Sequence, residues 1–280
     1  MPFFAEAKGL TMQNTPPEPV LNEDLLSGFA RLTEDGASEL DAALLVAQVI
    51  DDHLDTQQTR TRVVELAETA RADGVDGVDA LLSFLAGQGF GQSALTEADL
   101  THSSIDWLLQ QHQGLPIVVA VLLITLARAL GMQAHGVNYP GHFLLQVDDE
   151  LIDPIGLSVV QRDGLPHPEG VLADELFSPA NAMMIGFRML NNVKAYNLRL
   201  QNWRGMLVVS DYQLALAHAE PSLSGMVHFE RGEYRQQVGE SDAALEEYTR
   251  CVDLCQRGAL VEKAKSRVQS LLAEHKGELH

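Results

Sequence analysis

From Leu40 onward the apolar residues recur at spacings of three and four: Leu40, Ala43, Leu44, Ala47 and Ile50, then Val63, Leu66 and Ala67. That period predicts two amphipathic helices. Val78–Leu85 predicts a further helix, broken by Gly87, Gly89 and Gly91. Ser103 or Ser104 can accept the free N–H groups at the start of a helix through Ile105, Leu108 and Leu109. Gly114 reads as the end of that helix and Pro116 as the first turn of the next. Ile117–Leu130 is apolar nearly all round, with Thr125 and Arg128 its only polar positions, so it predicts a helix buried on most sides and closed by Gly131. The period then falls to two. Gln133–Asn138, His142–Val147 and Glu150–Asp153 read as short strands, with turns at Tyr139-Pro140-Gly141 and Asp148-Asp149.

A turn-rich stretch from Pro154 through Pro168 closes this unit, and from about Ser178 the chain reads as helical to its end. A buried helix followed by consecutive strands is an α+β pattern rather than an alternating one. In the last part Gly232, Gly239, Ala244, Tyr248 and Cys251 fall at offsets 0, 7, 12, 16 and 19. That is the skeleton of a helix–turn–helix repeat of the tetratricopeptide type, with small residues where paired helices approach closely. Ser210-Asp211-Tyr212 with Ala215 starts a weaker copy. A plain helical hairpin with no peptide groove is the alternative, and these helices are expected to pack on the preceding domain. The expected division is therefore a flexible Pro-containing tail over 1–22, an α+β domain over 23–177 and a helical region over 178–280.

Charge narrows the functional classes. The chain of 280 residues carries a net charge of −20, unevenly: residues 1–190 hold 27 acids against 8 Lys/Arg, whereas 191–280 hold 12 against 11. Between residues 72 and 161 the only basic side chain is Arg128, beside ten acids. Phosphate recognition needs clustered cations, so nucleic acid is excluded as an expected partner. An acidic surface fits solubility or a basic protein partner. The N-terminus lacks a basic stretch followed by a long apolar one, and the run Ile117–Ile124 is shorter than the ~20 residues that cross a bilayer. A cytoplasmic protein without membrane contact is the expectation. Cys251 and Cys255 stand at i,i+4 and read as reduced, packed thiols, since two thiols alone do not make a zinc site.

The candidate chemistry sits around the buried helix. A cysteine nucleophile is activated by a helix N-terminus, a histidine within hydrogen-bond reach and a group that orients the histidine. The N-terminus is at Pro116–Ile117, the histidine is His142 at the start of a strand, and Asp153 is the candidate orienting carboxylate. With Asp148-Asp149 as a two-residue loop, Val147 faces Glu150 and Leu144 faces Asp153, so His142 and Asp153 fall on one sheet face as diagonal neighbours. Yet no Ser, Thr or Cys lies between Gln113 and Ile124. A His–Asp pair without a nucleophile in reach performs no ordinary acyl transfer.

Gly114-Leu115-Pro116, the helix ending Leu126-Ala127-Arg128-Ala129-Leu130-Gly131, Gly136-Val137-Asn138-Tyr139-Pro140-Gly141-His142-Phe143-Leu144-Leu145 and Ile152-Asp153-Pro154 resemble the SirB1 family, over roughly residues 40–275. That family belongs to the transglutaminase-like superfamily and often carries a tetratricopeptide-like C-terminal part. The resemblance implies a papain-like α+β domain whose nucleophile position is Pro116, with His142 and Asp153 retained and Val118 where the family commonly has Ser. It implies a vestigial cleft of Pro116, His142, Asp153 and Gln113, no active catalytic residue, no cofactor and no metal. The expected function is non-catalytic binding of a protein or peptide, a basic one if the acidic cleft takes peptides. The alternative is an atypical hydrolase using His142 and Asp153 with water, or with a metal completed by His135, His112 or His102. A third reading makes His142 and Asp153 a buried, satisfied pair kept for stability. The partner's identity and the oligomeric state are not legible in the sequence.

Overall fold

The structure, a computed structural model, describes residues 20–91, 99–166 and 176–278. Of the tail expected over 1–22, residues 1–19 lie outside the described residues, as do His167 and Pro168 of the turn-rich stretch. The tail's last residue, Asn22, is a helix cap: its side-chain oxygen accepts the N–H groups of Asp24 and Leu25 and opens α1 (Glu23–Arg31). The helix buries Leu25 and Phe29 and is an element the apolar pattern did not predict.

Four helices follow: α2 (Glu39–Ile50), α3 (Thr56–Ala72), α4 (Val78–Gly87) and α5 (Ile105–Gln111). Ser38 and Asp41 form a reciprocal capping box at the start of α2. Ser104 caps α5, which ends one turn earlier than Gly114: His112 takes the left-handed conformation at φ 59 and stops it. The next helix, α6 (Pro116–Ala129), leaves that corner at 84° to α5.

Helix α6 is the centre of the molecule. Every residue from Ile117 to Ile124 is at most 3% exposed. It packs against α2, α3, α5, a sheet and the first helix after the sheet. Its C-terminal end closes as the sequence predicts. Gly131 sits at φ 92, its N–H reaches the Arg128 carbonyl, and Met132 N–H reaches Ala127 O at 3.0 Å. That pair of bonds satisfies carbonyls that would otherwise be orphaned at the helix end.

The sheet has five antiparallel strands in the order β4-β3-β2-β1-β5: β1 (Ala134–Val137), β2 (Leu144–Val147), β3 (Glu150–Asp153), β4 (Ser158–Val159) and β5 (Pro179–Ala180). The expected hairpin register holds: Val147 pairs with Glu150 and Leu145 with Ile152 across Asp148-Asp149. Asp148 makes the turn possible by adopting φ 47, which Asp tolerates better than most residues. Two corrections apply. His142 is not on a strand but in a turn before β2. The stretch from Ser178 does not begin as helix, because Pro179–Ala180 first pairs with β1, on an edge where proline's missing N–H costs nothing.

Strand alternation splits the sheet's two faces. Ala134, Leu145, Val147 and Ile152 join the main core with α6. Val137, Leu144 and Leu151 point the other way and form a smaller core with Tyr139 and Leu176. No single helix among the described residues is long and apolar enough to cross a membrane.

The chain finishes with α7 (Ala182–Arg199), α8 (Trp203–Leu216), α9 (Pro221–Gln237), α10 (Ser241–Leu254) and α11 (Ala259–Glu278). Each packs on the next, while α7 packs on α2 and α8 on α1, so Val209, Tyr212, Leu216 and Val227 share the main core. The α9–α10 pair is closely approached: a Cβ on Gly232 would lie 2.5 Å from the Tyr248 ring. Cys251 and Cys255 are both free and buried, and burial, together with the neighbouring Cys255, pushes the Cys251 thiol up to about 11. Such a thiol stays protonated and unreactive near neutral pH.

A buried ionic chain ties α8, α9 and α10 together. Arg231 donates to Glu247 at 2.8 Å, to Asp211 at 2.6 Å and to the Leu207 carbonyl at 3.1 Å, while His228 Nδ1 lies 2.6 Å from Glu247. Burial pushes the Glu247 carboxyl up, but the bond from His228 and the Arg231 cation outweigh it and hold it below the ordinary range. A depressed carboxyl stabilises the fold fully above its unfolded value and loses that contribution as pH falls through the folded one. Glu247→Gln is therefore expected to cost about 3 kcal/mol in urea unfolding at pH 7. The gap to wild type should narrow below about pH 4.5.

At the other end of the core, Arg128 donates to both oxygens of the buried Glu39, at 2.5 and 2.9 Å, and through Nε to the Ala134 carbonyl at 2.9 Å. The lone cation of residues 72–161 thus joins α6, α2 and β1. Arg128→Leu strands the Glu39 carboxylate in the core, and chemical denaturation is expected to show a loss of about 2 kcal/mol, moderated because Arg128 itself is half-exposed.

Candidate functional site

The end of α6 that would carry a nucleophile is built from the α5–α6 corner. Leu115 N–H donates to the His102 carbonyl at 2.9 Å. A side chain on Gly114 would press on Leu108 Cδ1 at 3.3 Å, so the corner packs tightly on α5. Gln113 is exposed and Pro116 is half-buried. Pro116 is the first residue of the helix, and Leu115 caps it without a side-chain hydrogen bond. Val118 is fully buried. A hydroxyl at that position would face the core rather than solvent.

His142 ends a turn whose geometry follows from its sequence. Pro140 supplies the second position, Gly141 at φ 78 the third, and His142 N–H closes back to the Tyr139 carbonyl at 3.1 Å. A type II turn requires that proline–glycine order. Tyr139 anchors it from beneath, buried and donating its hydroxyl to the Pro166 carbonyl. The imidazole of His142 is exposed and makes no hydrogen bond or ion pair with any described residue.

Asp153 is engaged elsewhere. Its Oδ1 accepts Ile155 N–H at 2.9 Å, starting the turn that leads from β3 to β4. On β3 it alternates with Ile152, which faces α6, and so shares the face of Leu151. The carboxylate therefore stands on the side of the sheet turned away from the helix. The structure brings Asp153 and Leu144 to the same end of the sheet, as expected, but does not join Asp153 to His142 by a hydrogen bond. They are not a buried, satisfied pair.

The other histidines are dispersed. His102 Nδ1 accepts Asp99 N–H at 3.1 Å, and the His112 ring packs on Phe90 with centroids 4.5 Å apart. His135, on β1, is pushed below its ordinary value by burial and then by the Arg128 and Arg162 cations, with Glu39 pulling the other way. No group of three or more His, Cys, Asp or Glu among the described residues is arranged to hold a metal.

Two features of this region were not legible beforehand. Asp76 and Asp79 from the start of α4 face Asp148, Asp149 and Glu150 of the β2–β3 hairpin across an open groove. Glu150 Oε2 is buried there without a hydrogen-bond partner. This acidity lies at the opposite end of β2 from His142, ~13 Å along a four-residue strand. The His142 end carries Asp153 and also a cation, Arg188 from α7, which donates to Asn138 and lies over the Phe143 ring. Arg188 and Asn138, 50 positions apart, meet here only because α7 returns across the sheet, which no local pattern signals.

Comparison with known proteins places this geometry in context. Residues 48–191, half of the chain, match the family model of the transglutaminase-like superfamily. A UPF0162 protein of Xylella fastidiosa is 27% identical over 192 residues, covering 61% of this chain and 68% of its own. A UPF0162 protein of Vibrio cholerae is 26% identical over 208 residues, covering 69% and 75%. One from Pseudomonas aeruginosa is 30% identical over 134 residues, covering 44% and 48%. No solved structure matches.

Because Asp153 caps its own turn, Asp153→Asn is expected to leave the ¹⁵N resonances of the His142 ring in place. It should change thermal stability by no more than about 1 kcal/mol. A displaced His142 ring signal would reveal a coupling that this geometry lacks.

Proposed function

Given that the chain belongs to the transglutaminase-like superfamily, we propose that it is a non-catalytic, SirB1-type member that binds a protein or peptide. The observation that carries this reading is the silent end of α6: Pro116 stands at its first position, and no Ser, Thr or Cys occurs from Gln113 to Ile124. The separate engagement of Asp153, bonded to Ile155 N–H rather than to His142, supports it. An acid–base pair that is neither assembled nor supplied with a nucleophile has no route to acyl transfer.

The binding role rests on charge. Five carboxylates line the groove between the start of α4 and the β2–β3 hairpin. No Lys or Arg among the described residues lines the groove. A basic segment is the complementary partner, and the net charge of −20 steers it in. The C-terminal helices add a second surface. Their α9–α10 packing, with Gly232 under Tyr248 and Ala244 fully buried, supports a tetratricopeptide-like arrangement. The cytosol is the compartment that fits two free, buried thiols.

The test has two arms. Incubation with thioester and glutamine-peptide acyl donors is expected to give no turnover, and turnover abolished by His142→Ala in a folded protein would refute the reading. In the second arm, a lysine-rich peptide is titrated against wild type and against a triple Asp76→Lys, Asp79→Lys, Asp149→Lys variant. These three side chains are exposed, so the fold should survive. Affinity is expected to fall at least about tenfold in the variant and to weaken with added salt. Equal affinity would remove the groove from the proposal.

A further inference from the structure

We propose that the Tyr139–His142 turn and Arg188 form a recognition site for a carboxylate-bearing ligand, at the end of the sheet opposite the acidic groove. This goes beyond the binding role above and uses none of the groove's residues.

Arg188 is unusual for its company. The strongly acidic chain offers carboxylates to most of its well-placed cations: Arg60 meets Asp41, Arg62 meets Asp106, Arg128 meets Glu39 and Arg231 meets Glu247. Arg188 meets none among the described residues. Its one hydrogen-bond partner is a neutral amide oxygen, Asn138 Oδ1, taken by Nη1. Its guanidinium carbon lies 5.3 Å from the centroid of the Phe143 ring. A guanidinium has five N–H donors in a fixed fork, so this arrangement leaves Nη2 and Nε uncommitted. Neither is a buried atom lacking a partner, so both stay open to an incoming group. Partial burial alone pushes the Arg188 cation below its ordinary value, with no carboxylate working against it.

The platform is built in advance. Gly136 lets the Phe143 ring lie close: a Cβ there would be 2.8 Å from Phe143 Cζ and 3.1 Å from Ile185 Cδ1. Phe143 is therefore wedged between β1 and α7, and Arg188 rests on it. Asn138 holds one edge of the fork from the start of the turn. His142 stands at the other end of that turn, exposed and without a partner among the described residues. A guanidinium stacked on an aromatic ring and hinged at one edge presents its free edge in one plane, which is the geometry that matches a planar carboxylate. A doubly charged phosphate calls for more cations, and the only basic side chain from 72 to 161, Arg128, is committed to Glu39.

The carboxylate could come from a peptide C-terminus or from an acidic side chain, and the probes separate the two. ¹⁵N-labelled full-length protein is titrated with acetyl-Ala-Ala, which has a free C-terminus, and with acetyl-Glu-amide, which has only the side-chain carboxylate. Acetyl-Ala-Ala-amide and inorganic phosphate serve as comparisons. Saturable shifts of the Arg188 Nε–H and of the Asn138 and His142 amides with either carboxylate, and none with the neutral amide, are expected; the tighter of the two identifies the source. Arg188→Gln is expected to weaken binding at least about tenfold. Arg188→Lys keeps the charge but loses the fork, and should weaken it by a similar factor with an unchanged melting curve. His142→Ala should weaken it a few-fold. Should Arg188→Gln fail to fold, the lysine variant decides alone. The proposal is overturned by the absence of saturable shifts, by phosphate binding more tightly than either carboxylate, or by undiminished binding in Arg188→Lys. None of these results bears on the lysine-rich peptide, so failure here is distinct from failure of the groove.

Discussion

The all-round burial of α6 is the constraint on which the remaining structure depends. A helix sealed from Ile117 to Ile124 can carry no charge along its length, so every polar demand is met at its two ends. At the C-terminal end Arg71 and Arg128 answer that demand: Arg71 donates to the Ala129 carbonyl, and Arg128 joins Glu39 to the Ala134 carbonyl. These cations also face the negative end of the helix dipole. At the N-terminal end the chain needs no charge at all. Pro116 removes one orphan N–H, and Val118 N–H turns back to the Leu115 carbonyl at 2.9 Å. The proline at its first position is thus a good structural solution for a helix that enters the core directly.

The same burial distributes function over the surface. With one sheet face given to α6 and the other to the Tyr139–Leu176 cluster, exposed polar groups collect at the two ends of the strands. One end has the carboxylates of the β2–β3 hairpin and the start of α4; the other has His142, Asn138 and Arg188. An acidic cleft centred on His142, expected from the excess of acids over residues 72–161, is therefore resolved into an acidic groove at one end and a mixed end that carries both Asp153 and Arg188. A count of charges along the chain averages over both ends of each strand and cannot separate them.

What the sequence made legible is what depends on near neighbours. The burial of α6 follows from an uninterrupted apolar run, its end from Gly131, and the β2–β3 register from the period of two and a two-residue loop. What escaped depends on distant partners or on weak local signals. Helix α1 has a cap and two acids in its first turn, but Ser27 and Gly28 interrupt its apolar face, and Gly28 is there because Leu45 of α2 fills the space a side chain would need. Strands β4 and β5 are two residues each and exist only through pairing with strands already in place. The apolar run Phe143–Leu145 beside it makes His142 look like a strand residue, yet the left-handed Gly141 before it turns the chain, and the strand begins only at Leu144. Arg188 carries no local signal, since its partners Asn138 and Phe143 lie across the sheet.

The candidate triad can be judged as a whole rather than by its missing thiol. Three conditions must hold together: a nucleophile at the helix end, a histidine aimed at it, and a carboxylate behind the histidine. The first fails at Pro116. The third fails separately, because Asp153 uses its carboxylate to hold Ile155 N–H and stands on the sheet face turned away from α6. Supplying a cysteine at 116 would repair one condition and leave the other. Turning Asp153 toward α6 would need a one-residue slip of β3, which would drive Leu151 into the main core and expel Ile152 from it. The position of the Asp153 carboxylate is therefore set by the sheet's register, while the turn that presents His142 and the cation above Phe143 are free of that constraint.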